Sequence, residues 1–359
     1  MVVFRYLIRE ILITMAAVTA VLLLVIMGSR FIRYFADAAA GSLPVGLVGS
    51  LMLFHMPGFL QLILPLAFFL GIMLAYGQLY LNSEMTVLQA CGFSPLKLLG
   101  ISLWPGVFTG ILVGLCSLWL TPLGLATNEL TLQQQSAQAD FSALSPGRFQ
   151  DFGSGRTVYA EHLSENRSRL ENVFISEGQD ATDDSSHVVT RAESGYQVND
   201  EQTGQRYLVL SNGHRYTVEP GGNAAERLDF ATYAFRIESV ASERDLDDVE
   251  LQSTAQLLTR DDSDARAELQ WRLSLALMIP VLTLLAMSLS RVDPRQGRFA
   301  KLLPAIMLHV VYLSLLLSAQ EAMRDGVLAT YIGVWPIHLA FLLFGLWLLR
   351  RTFGQRRGR

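Results

Sequence analysis

The sequence predicts a mixed membrane protein, in which three transmembrane helices precede an inserted all-β domain of jellyroll type and three more follow it. Two observations lead to this prediction. The 359 residues are 51% hydrophobic and only 17% charged, whereas soluble proteins average about 25% charged residues. The apolar residues are concentrated in six blocks, and the stretch between the third and fourth blocks is polar, with short alternating runs.

Each of the six apolar blocks is long enough to cross a bilayer as a helix. About 18 or more apolar residues, rising about 1.5 Å each, span most of a hydrocarbon core of about 30 Å. The first block is longer than the apolar part of a signal peptide and lacks a cleavage site, so we expect it to remain as a spanning helix. The blocks occupy residues 11–32, 57–79, 96–120, 271–289, 301–319 and 332–349.

The distribution of charge predicts how the chain is oriented. Residues 126–267 carry 25 acids and 12 bases, a net charge of −13, and the remainder carries 16 bases and 7 acids, a net charge of +9. Arg5 and Arg9 precede or begin the first helix, and further bases lie between the fourth and fifth blocks and after the sixth. The positive-inside bias therefore places both termini in the cytoplasm and residues 126–267 on the opposite side.

The inserted segment reads as a set of β-strands. Val, Ile, Tyr, Phe and Thr alternate with polar residues in the short runs TVYA (157–160), NVFISE (172–177), HVVTRAE (187–193), YLVL (207–210), RYTVE (215–219) and YAFRIE (233–238). Asn212-Gly213 lies between two of these runs and predicts a hairpin turn, since both residues tolerate positive φ. The apolar strand faces fit either a closed core or an open groove.

These patterns divide the chain into four parts. Residues 1–125 contain the first three spanning helices, 126–250 form the β domain, 251–267 are a linker, and 268–359 contain the last three helices and a basic tail.

Motifs of catalysis and of cofactor binding are absent. The two lysines, Lys97 and Lys301, do not lie in a phosphate-binding loop, and the six histidines lack zinc-binding or metalloprotease spacing. Cys91 and Cys116 fall in a cytoplasmic loop and in a spanning helix, so a disulfide between them is not expected. We expect a protein that is not an enzyme and binds no cofactor, with any ATP hydrolysed by a partner.

Arg30 and Arg33 are placed against the positive-inside bias, at the outer end of the first helix. Their i, i+3 spacing puts both guanidinium groups on one helix face. Arginine matches phosphate bidentately, so one interpretation is that the pair binds a phosphorylated lipid headgroup. The other is that the pair only anchors the helix among lipid phosphates of any kind.

The stretch LYLNSEMTVLQACGFSPLKLL, residues 79–99, predicts a short cytoplasmic helix over residues 83–91. Asn82 is a candidate N-cap, Glu84 lies in the first turn, Gly92 ends the helix, and Ser94 begins the next one. Its apolar surface consists of Met85, Val87, Leu88 and Cys91. One acid beside an apolar surface fits a helix that docks on another subunit, with Glu84 facing a basic residue. A helix resting on the bilayer is disfavoured, because Glu84 would face anionic lipid.

Three motifs and the arrangement of elements resemble a known family. The motifs are NSEMTVLQACGFSP, ARAELQWR before the fourth helix and RVDPRQGR after it. Together with the three-helix, β-domain, three-helix order, they resemble the LptF/LptG permeases of lipopolysaccharide export over essentially the whole chain. FRYLIRE and the Arg30/Arg33 pair resemble the LptF branch more than the paralogous LptG branch.

The resemblance implies a heterodimer with an LptG paralogue around a cavity that receives lipopolysaccharide from the outer leaflet of the inner membrane. An LptB dimer beneath would bind ATP and Mg, while LptC and the bridge protein LptA would continue the path from the periplasmic β domain.

For individual residues, the resemblance implies three sites. Glu84, with its neighbours Ser83, Met85 and Leu88, would couple to the ATPase. Arg30 and Arg33 would meet the lipid A phosphates. The acyl-chain groove would include Phe149, Val158, Phe174 and Tyr207. The loop RVDPRQGR would serve first as a helix end and lipid anchor, and only second as an ATPase contact.

Other functions remain as alternatives. The chain could be the LptG paralogue, or a membrane sensor whose periplasmic β domain binds a ligand, although its cytoplasmic segments are too short for an output domain. Lipoprotein-export permeases usually have four spanning helices with a large domain after the first, which the six apolar blocks contradict. An intramembrane enzyme is disfavoured by the missing motifs.

Overall fold

The computed structural model describes residues 2–40, 43, 45–138, 147–151, 156–164, 169–177, 187–199, 206–218, 225–236, 248–291 and 301–354. The RVDPRQGR loop lies almost entirely outside them. The chain forms two compact units. The first comprises Met1–Phe31, Ser50–Asn128 and Leu246–Arg359, and the second comprises Ile32–Gly49 and Glu129–Asp245.

Six helices in the described residues are long and apolar enough to cross a membrane, which confirms the predicted number. The helices of the first half are α1 (Val2–Ala40), α2 (Val45–Leu81), α3 (Glu84–Ala90), α4 (Pro95–Leu115) and α5 (Thr121–Gln138). Those of the second half are α6 (Thr254–Thr259), α7 (Ser263–Leu289), α8 (Leu302–Arg324) and α9 (Trp335–Gly354). The short α3 and α6 do not span.

Each spanning helix extends beyond its predicted apolar block at one end or at both. Pro57 and Pro65 lie inside α2, Pro105 inside α4 and Pro280 inside α7. Helices in membranes tolerate proline where neighbouring groups satisfy the freed carbonyls.

The third span contains a wider turn. A π-helical segment, Cys116–Leu120, joins α4 to α5, and the three together form one continuous helix, of which Pro95–Leu132 is the candidate membrane span. The hydroxyl of Ser117 donates to the carbonyl of Arg272 across 3.1 Å, which ties this segment to α7. Single π-turns of this kind occur frequently at functional sites.

Helix α7 lies at the centre of the first unit. It packs against α4, α8 and α9, and most of its apolar side chains from Leu275 to Met287 are buried. Phe68 and Phe69 of α2 and Tyr312 of α8 are fully buried in the same core. This helix therefore fixes the positions of its neighbours.

The second unit contains a six-stranded antiparallel sheet in the order β1 to β6, which confirms the inserted all-β domain. Every described strand pairs with its neighbours in the chain, so the connectivity is up-and-down, simpler than the Greek keys of a jellyroll. The strands are β1 (Phe149–Asp151), β2 (Arg156–Leu163), β3 (Arg169–Glu177), β4 (His187–Asn199), β5 (Arg206–Val218) and β6 (Ala225–Arg236).

The predicted hairpin at Asn212-Gly213 is wrong, because β5 runs through both residues without turning. Asn212 does adopt a positive φ of 52°, and Asn172 of β3 adopts a φ of 50°. Glu193 of β4 lies between them, and the Asn212 amide donates to its carboxylate across 3.2 Å. Both positive φ angles thus lie inside continuous strands, on either side of Glu193, and do not reverse the chain.

One apolar cluster packs within the sheet. Its buried members are Val158, Ala160, Leu170, Val173, Ile175, Ala192, Leu208 and Leu210. The cluster is closed by the chain's own side chains, with Phe230 and Tyr233 of β6 packed against it.

The chain re-enters the membrane helices through two capped helices. Ser253 and Gln256 form a capping box at the start of α6, and Asp262 accepts a hydrogen bond from the Ala265 amide at the start of α7. The Arg260 guanidinium beside Asp262 lowers the pKa of that carboxyl below its usual value. Residues 251–267, predicted as a linker, thus contain α6 and the start of α7.

Candidate functional site

The short helix α3 lies between the second and third spans and agrees with the predicted helix to within a residue at each end. Ser83 precedes it with a φ of 64°, which turns the chain out of α2. Gly92 follows with a φ of 91°, and the amides of Gly92 and Phe93 donate to the carbonyls of Gln89 and Leu88. These two bonds form a Schellman motif, which ends the helix.

The next helix starts as predicted. The Ser94 hydroxyl accepts a hydrogen bond from the Lys97 amide across 3.3 Å, and Pro95 occupies the first turn of α4. Asn82 was predicted as the cap of α3, but Ser83 holds that position and makes no side-chain cap. The side-chain NH2 group of Asn82 donates a hydrogen bond to the Glu84 carboxylate. The side-chain oxygen of Asn82, the atom that would cap a helix, accepts a hydrogen bond from the Gln78 side-chain amide across 3.1 Å.

Glu84 is held by two donors from the chain itself. The Tyr6 hydroxyl of α1 donates to Oε2 across 2.9 Å, and the Asn82 amide donates to Oε1 across 3.1 Å. Each carboxylate oxygen accepts more than one hydrogen bond, so the group retains capacity for a further donor. Glu84 is half-buried, and its orientation is fixed before any partner binds.

Met85 does not lie on an exposed surface, and the prediction that it contributes to a docking face is wrong. Its side chain is 0% exposed and belongs to the core of the first unit, with Leu88 partly buried against the same core. Because α3 is only two turns long, the side chains that hold it to the core cannot also face outward. Val87 is 59% exposed, and Ser83 and Cys91 are also exposed.

Both arginines of the predicted phosphate pair lie on α1 and are exposed. The Arg30 guanidinium lies over the Phe59 ring of α2, 5.5 Å from its centroid. This cation–π contact positions Arg30 without neutralising its charge. Arg33 lies in the second unit, one helical turn further along α1.

The four groove candidates in the β domain do not share one surface. Val158 belongs to the buried cluster, whereas Phe174 and Tyr207 are half-buried and each alternates with a residue of that cluster. Phe149 is 66% exposed. Since successive strand residues point to opposite faces, the prediction that all four line one groove is wrong: Val158 lies on the opposite face from Phe174 and Tyr207.

An aromatic row does extend across three strands. The row consists of Phe149 of β1, Tyr159 of β2 and Phe174 of β3, which lie opposite one another in register. The Phe149 and Tyr159 ring centroids are 4.9 Å apart, and those of Phe149 and Phe174 are 6.3 Å apart. Tyr159 was not among the predicted groove residues, although its alternation with Val158 already placed it on the other face.

Tyr6 is a partner of Glu84 that no sequence motif indicated. Its partner lies 78 positions away, so no local rule connects them. The one available signal was its position beside Arg5 at the predicted cytoplasmic end of the first span, the same side as Glu84. In the described part of the chain, no group of three or more His, Cys, Asp or Glu side chains could hold a metal ion.

The sequence model and the individual relatives that match this chain come from the same family. The sequence model of the family described as lipopolysaccharide export system permease LptF/LptG matches residues 5–351. The lipopolysaccharide export system permease protein LptF of Escherichia coli (strain K12) is 31% identical over 351 residues, which cover 96% of this chain and 94% of that protein. The LptF proteins of Escherichia coli O157:H7 and of Shigella flexneri match with the same identity and coverage.

Proposed function

The chain belongs to the LptF/LptG family of lipopolysaccharide export permeases, and we propose that it is the LptF-type subunit of an ATP-driven exporter. It takes lipopolysaccharide from the outer leaflet of the inner membrane and passes it through its β domain towards the outer membrane. Identity to LptF proteins along nearly the whole chain supports the choice of LptF over its paralogue LptG.

The proposed orientation places both termini in the cytoplasm and the β domain in the periplasm. The net charge of −13 on residues 126–267, against +9 elsewhere, supports it. With this orientation, α3 and the start of α1 face the cytoplasm, where an ATPase would bind.

We propose that ATP is hydrolysed by a separate LptB-type subunit, which holds the nucleotide and Mg. This subunit would bind α3, so that its conformational change moves α3. The observation that carries this proposal is the fixed Glu84 carboxylate beside exposed Val87. An acid with spare acceptor capacity is suited to an arginine or lysine of the partner. Met85 and Leu88 anchor α3 to the core of the first unit, so that a displacement of α3 would move the spanning helices.

Arg30 and Arg33 are proposed to bind the phosphates of lipid A. Both guanidinium groups are exposed, and Arg30 is positioned by the Phe59 ring. A guanidinium fork binds phosphate through paired hydrogen bonds, which gives it specificity that a lysine lacks.

The β domain is proposed to shelter acyl chains and to join the β domains of partners. The aromatic row of Phe149, Tyr159 and Phe174 offers apolar surface, and each buried methylene is worth about 0.8 kcal/mol. Strand β6 is one edge of the described sheet, and an edge strand presents unpaired backbone groups to which an LptC-type or LptA-type strand could add. An LptG-type paralogue would complete the membrane cavity.

A purification from detergent tests the proposal. We expect the wild-type chain to bring down an ATPase and a paralogous permease, and Glu84→Lys to lose the ATPase or its coupling. Asp325→Lys is the matched control, because it reverses an exposed carboxylate at the far end of α8. If no ATPase is recovered with any of the three proteins, the exporter proposal fails and the ligand sensor takes its place.

A further inference from the structure

A buried cluster of charges joins the chain that leaves the β domain to the spanning helices. Arg272 of α7 is 2% exposed, and its five N–H groups meet five acceptors. Four of those acceptors belong to residues 249–254, here called the return segment. They are the carbonyls of Val249, Glu250 and Gln252 and the hydroxyl of Thr254, at 3.0 to 3.2 Å.

The fifth acceptor of Arg272 extends the cluster to a further helix. Arg272 donates from Nε to the Glu268 carboxylate across 2.9 Å, one turn earlier in α7. The other oxygen of Glu268 accepts from Gln320 across 2.9 Å and from Arg324 across 3.0 Å, both in α8. Arg324 also lies 3.4 Å from the Glu250 carboxylate of the return segment.

The return segment is bound to the third span as well. The Thr254 hydroxyl, which accepts from Arg272, donates to the Leu118 carbonyl of the π-helical segment. The Ser117 hydroxyl of that segment donates to the Arg272 carbonyl. Four residues of the return segment are therefore bound to three spanning helices through one arginine and its partners.

This arrangement fits a positioning role better than a stabilising one. The two acids and two arginines balance in charge, and a buried ion pair adds little stability compared with apolar side chains of the same shape. What it does fix is geometry, because the planar guanidinium satisfies all its donors only when every acceptor is in place. Ionisable residues within spanning helices are costly and are commonly functional.

We propose that Arg272 is a positioning residue for transport, which makes the return segment move as one body with α7, α8 and the third span. When these helices rearrange, the return segment, which follows the β domain in the chain, moves with them. The proposal rests on the proposed ATP-driven function, since ATP hydrolysis supplies the rearrangement.

The test uses the complete transporter complex in proteoliposomes and compares Arg272→Met with wild type. Two quantities are measured: lipopolysaccharide released per ATP hydrolysed, and the distance distribution between spin labels on Leu258 of α6 and Glu321 of α8. Both label sites are exposed, and Cys91 and Cys116 are first replaced by serine and alanine. Arg266→Met is the matched control, because Arg266 is an exposed arginine on the same helix and forms its ion pair with the exposed Asp261.

We expect Arg272→Met to broaden the distance distribution and to reduce release per ATP by about fivefold or more, the lower range of coupling between sites. ATPase activity should stay close to wild type, and Arg266→Met should change neither quantity. The proposal is overturned if Arg272→Met leaves both quantities unchanged, or if release and ATPase activity fall together without a change in the distribution.

Removing Arg272 alone leaves Glu268 short of a charged partner, and the variant could fail to fold. The double variant Glu268→Gln/Arg272→Met removes one acid and one base and retains the Glu250–Arg324 pair, so it is measured in parallel. Thr254→Val, which deletes a single hydroxyl, is measured too. If wild type shows no ATP-driven release, the proposed function fails, and the distance distributions alone then decide whether Arg272 holds the return segment.

Discussion

Tyr6 donates its phenolic hydrogen to the Glu84 carboxylate across 2.9 Å, which connects the first turns of α1 to the short helix α3. The two residues are 78 positions apart, and Tyr6 lies near the start of α1 whereas Glu84 follows the end of α2. Glu84 is therefore oriented by the chain itself, and a partner that binds it meets a carboxylate already in position.

The Tyr6 contact should contribute to coupling without being essential for it. We expect Tyr6→Phe to reduce lipopolysaccharide release per ATP by about fivefold, because one hydrogen bond is worth about 1 kcal/mol. Tyr331→Phe, at an exposed tyrosine, should have no effect. Release per ATP in proteoliposomes measures both. A Tyr6→Phe protein that transports as well as wild type would show that the contact has no part in coupling.

Arg33 should bind phosphate through its fork and not only through its charge. Arg33→Ala is expected to weaken binding of lipopolysaccharide about tenfold, the loss of a charged hydrogen bond, and Arg33→Lys to weaken it less. Arg350→Ala, at the opposite end of the membrane helices, serves as the control. Binding is then repeated with dephosphorylated lipid A, for which wild type and Arg33→Ala should be equal. A persistent difference between them would place the arginine elsewhere than at a phosphate.

Gly124 should be required for the close approach of α5 to α2. A methyl group on Gly124 would overlap the carbonyl oxygen of Phe54, so Gly124→Ala should destabilise the protein by about 1–3 kcal/mol. Gly28 faces open space, and Gly28→Ala should be neutral or slightly stabilising, since alanine is the better helix former. Thermal unfolding in detergent compares the two, and equal melting temperatures would contradict the packing described.

Asn212 should tolerate glycine but not a β-branched residue. Its φ of 52° is costly for valine, so Asn212→Val should destabilise the sheet by about 1–3 kcal/mol, whereas Asn212→Gly should stay near wild type. Hydrogen exchange of the β5 amides in the full-length protein reads out the difference. Equal exchange in both variants would contradict the cost ascribed to the positive φ of this residue.

Features set by local chemistry were predictable from the sequence. The six spans follow from apolar length alone, and Gly92 and Ser94 act as end and start signals because capping involves only a few neighbouring residues. The β-strands were placed by alternation, which is equally local. The inserted all-β domain follows from the change in composition.

Features set by distant contacts were not predictable. Asn212-Gly213 has the composition of a hairpin turn, yet β5 continues through both residues because it pairs with β4 on one side and with β6 on the other. Met85 reads as surface in a short helix, but the core of the first unit buries it. Arg272 and Glu268 stand four apart in ARAELQWR, while their other partners come from α8 and from residues 249–254.

The most direct test of the central claim is lipopolysaccharide transfer by the reconstituted complex, measured for wild type and for Glu84→Gln with ATP hydrolysis recorded in the same vesicles. Our account predicts transfer by wild type only when ATP is present. It also predicts that Glu84→Gln transfers much less lipopolysaccharide for each ATP hydrolysed. Transfer by Glu84→Gln at the wild-type ratio, or no ATP-dependent transfer by wild type, would contradict it.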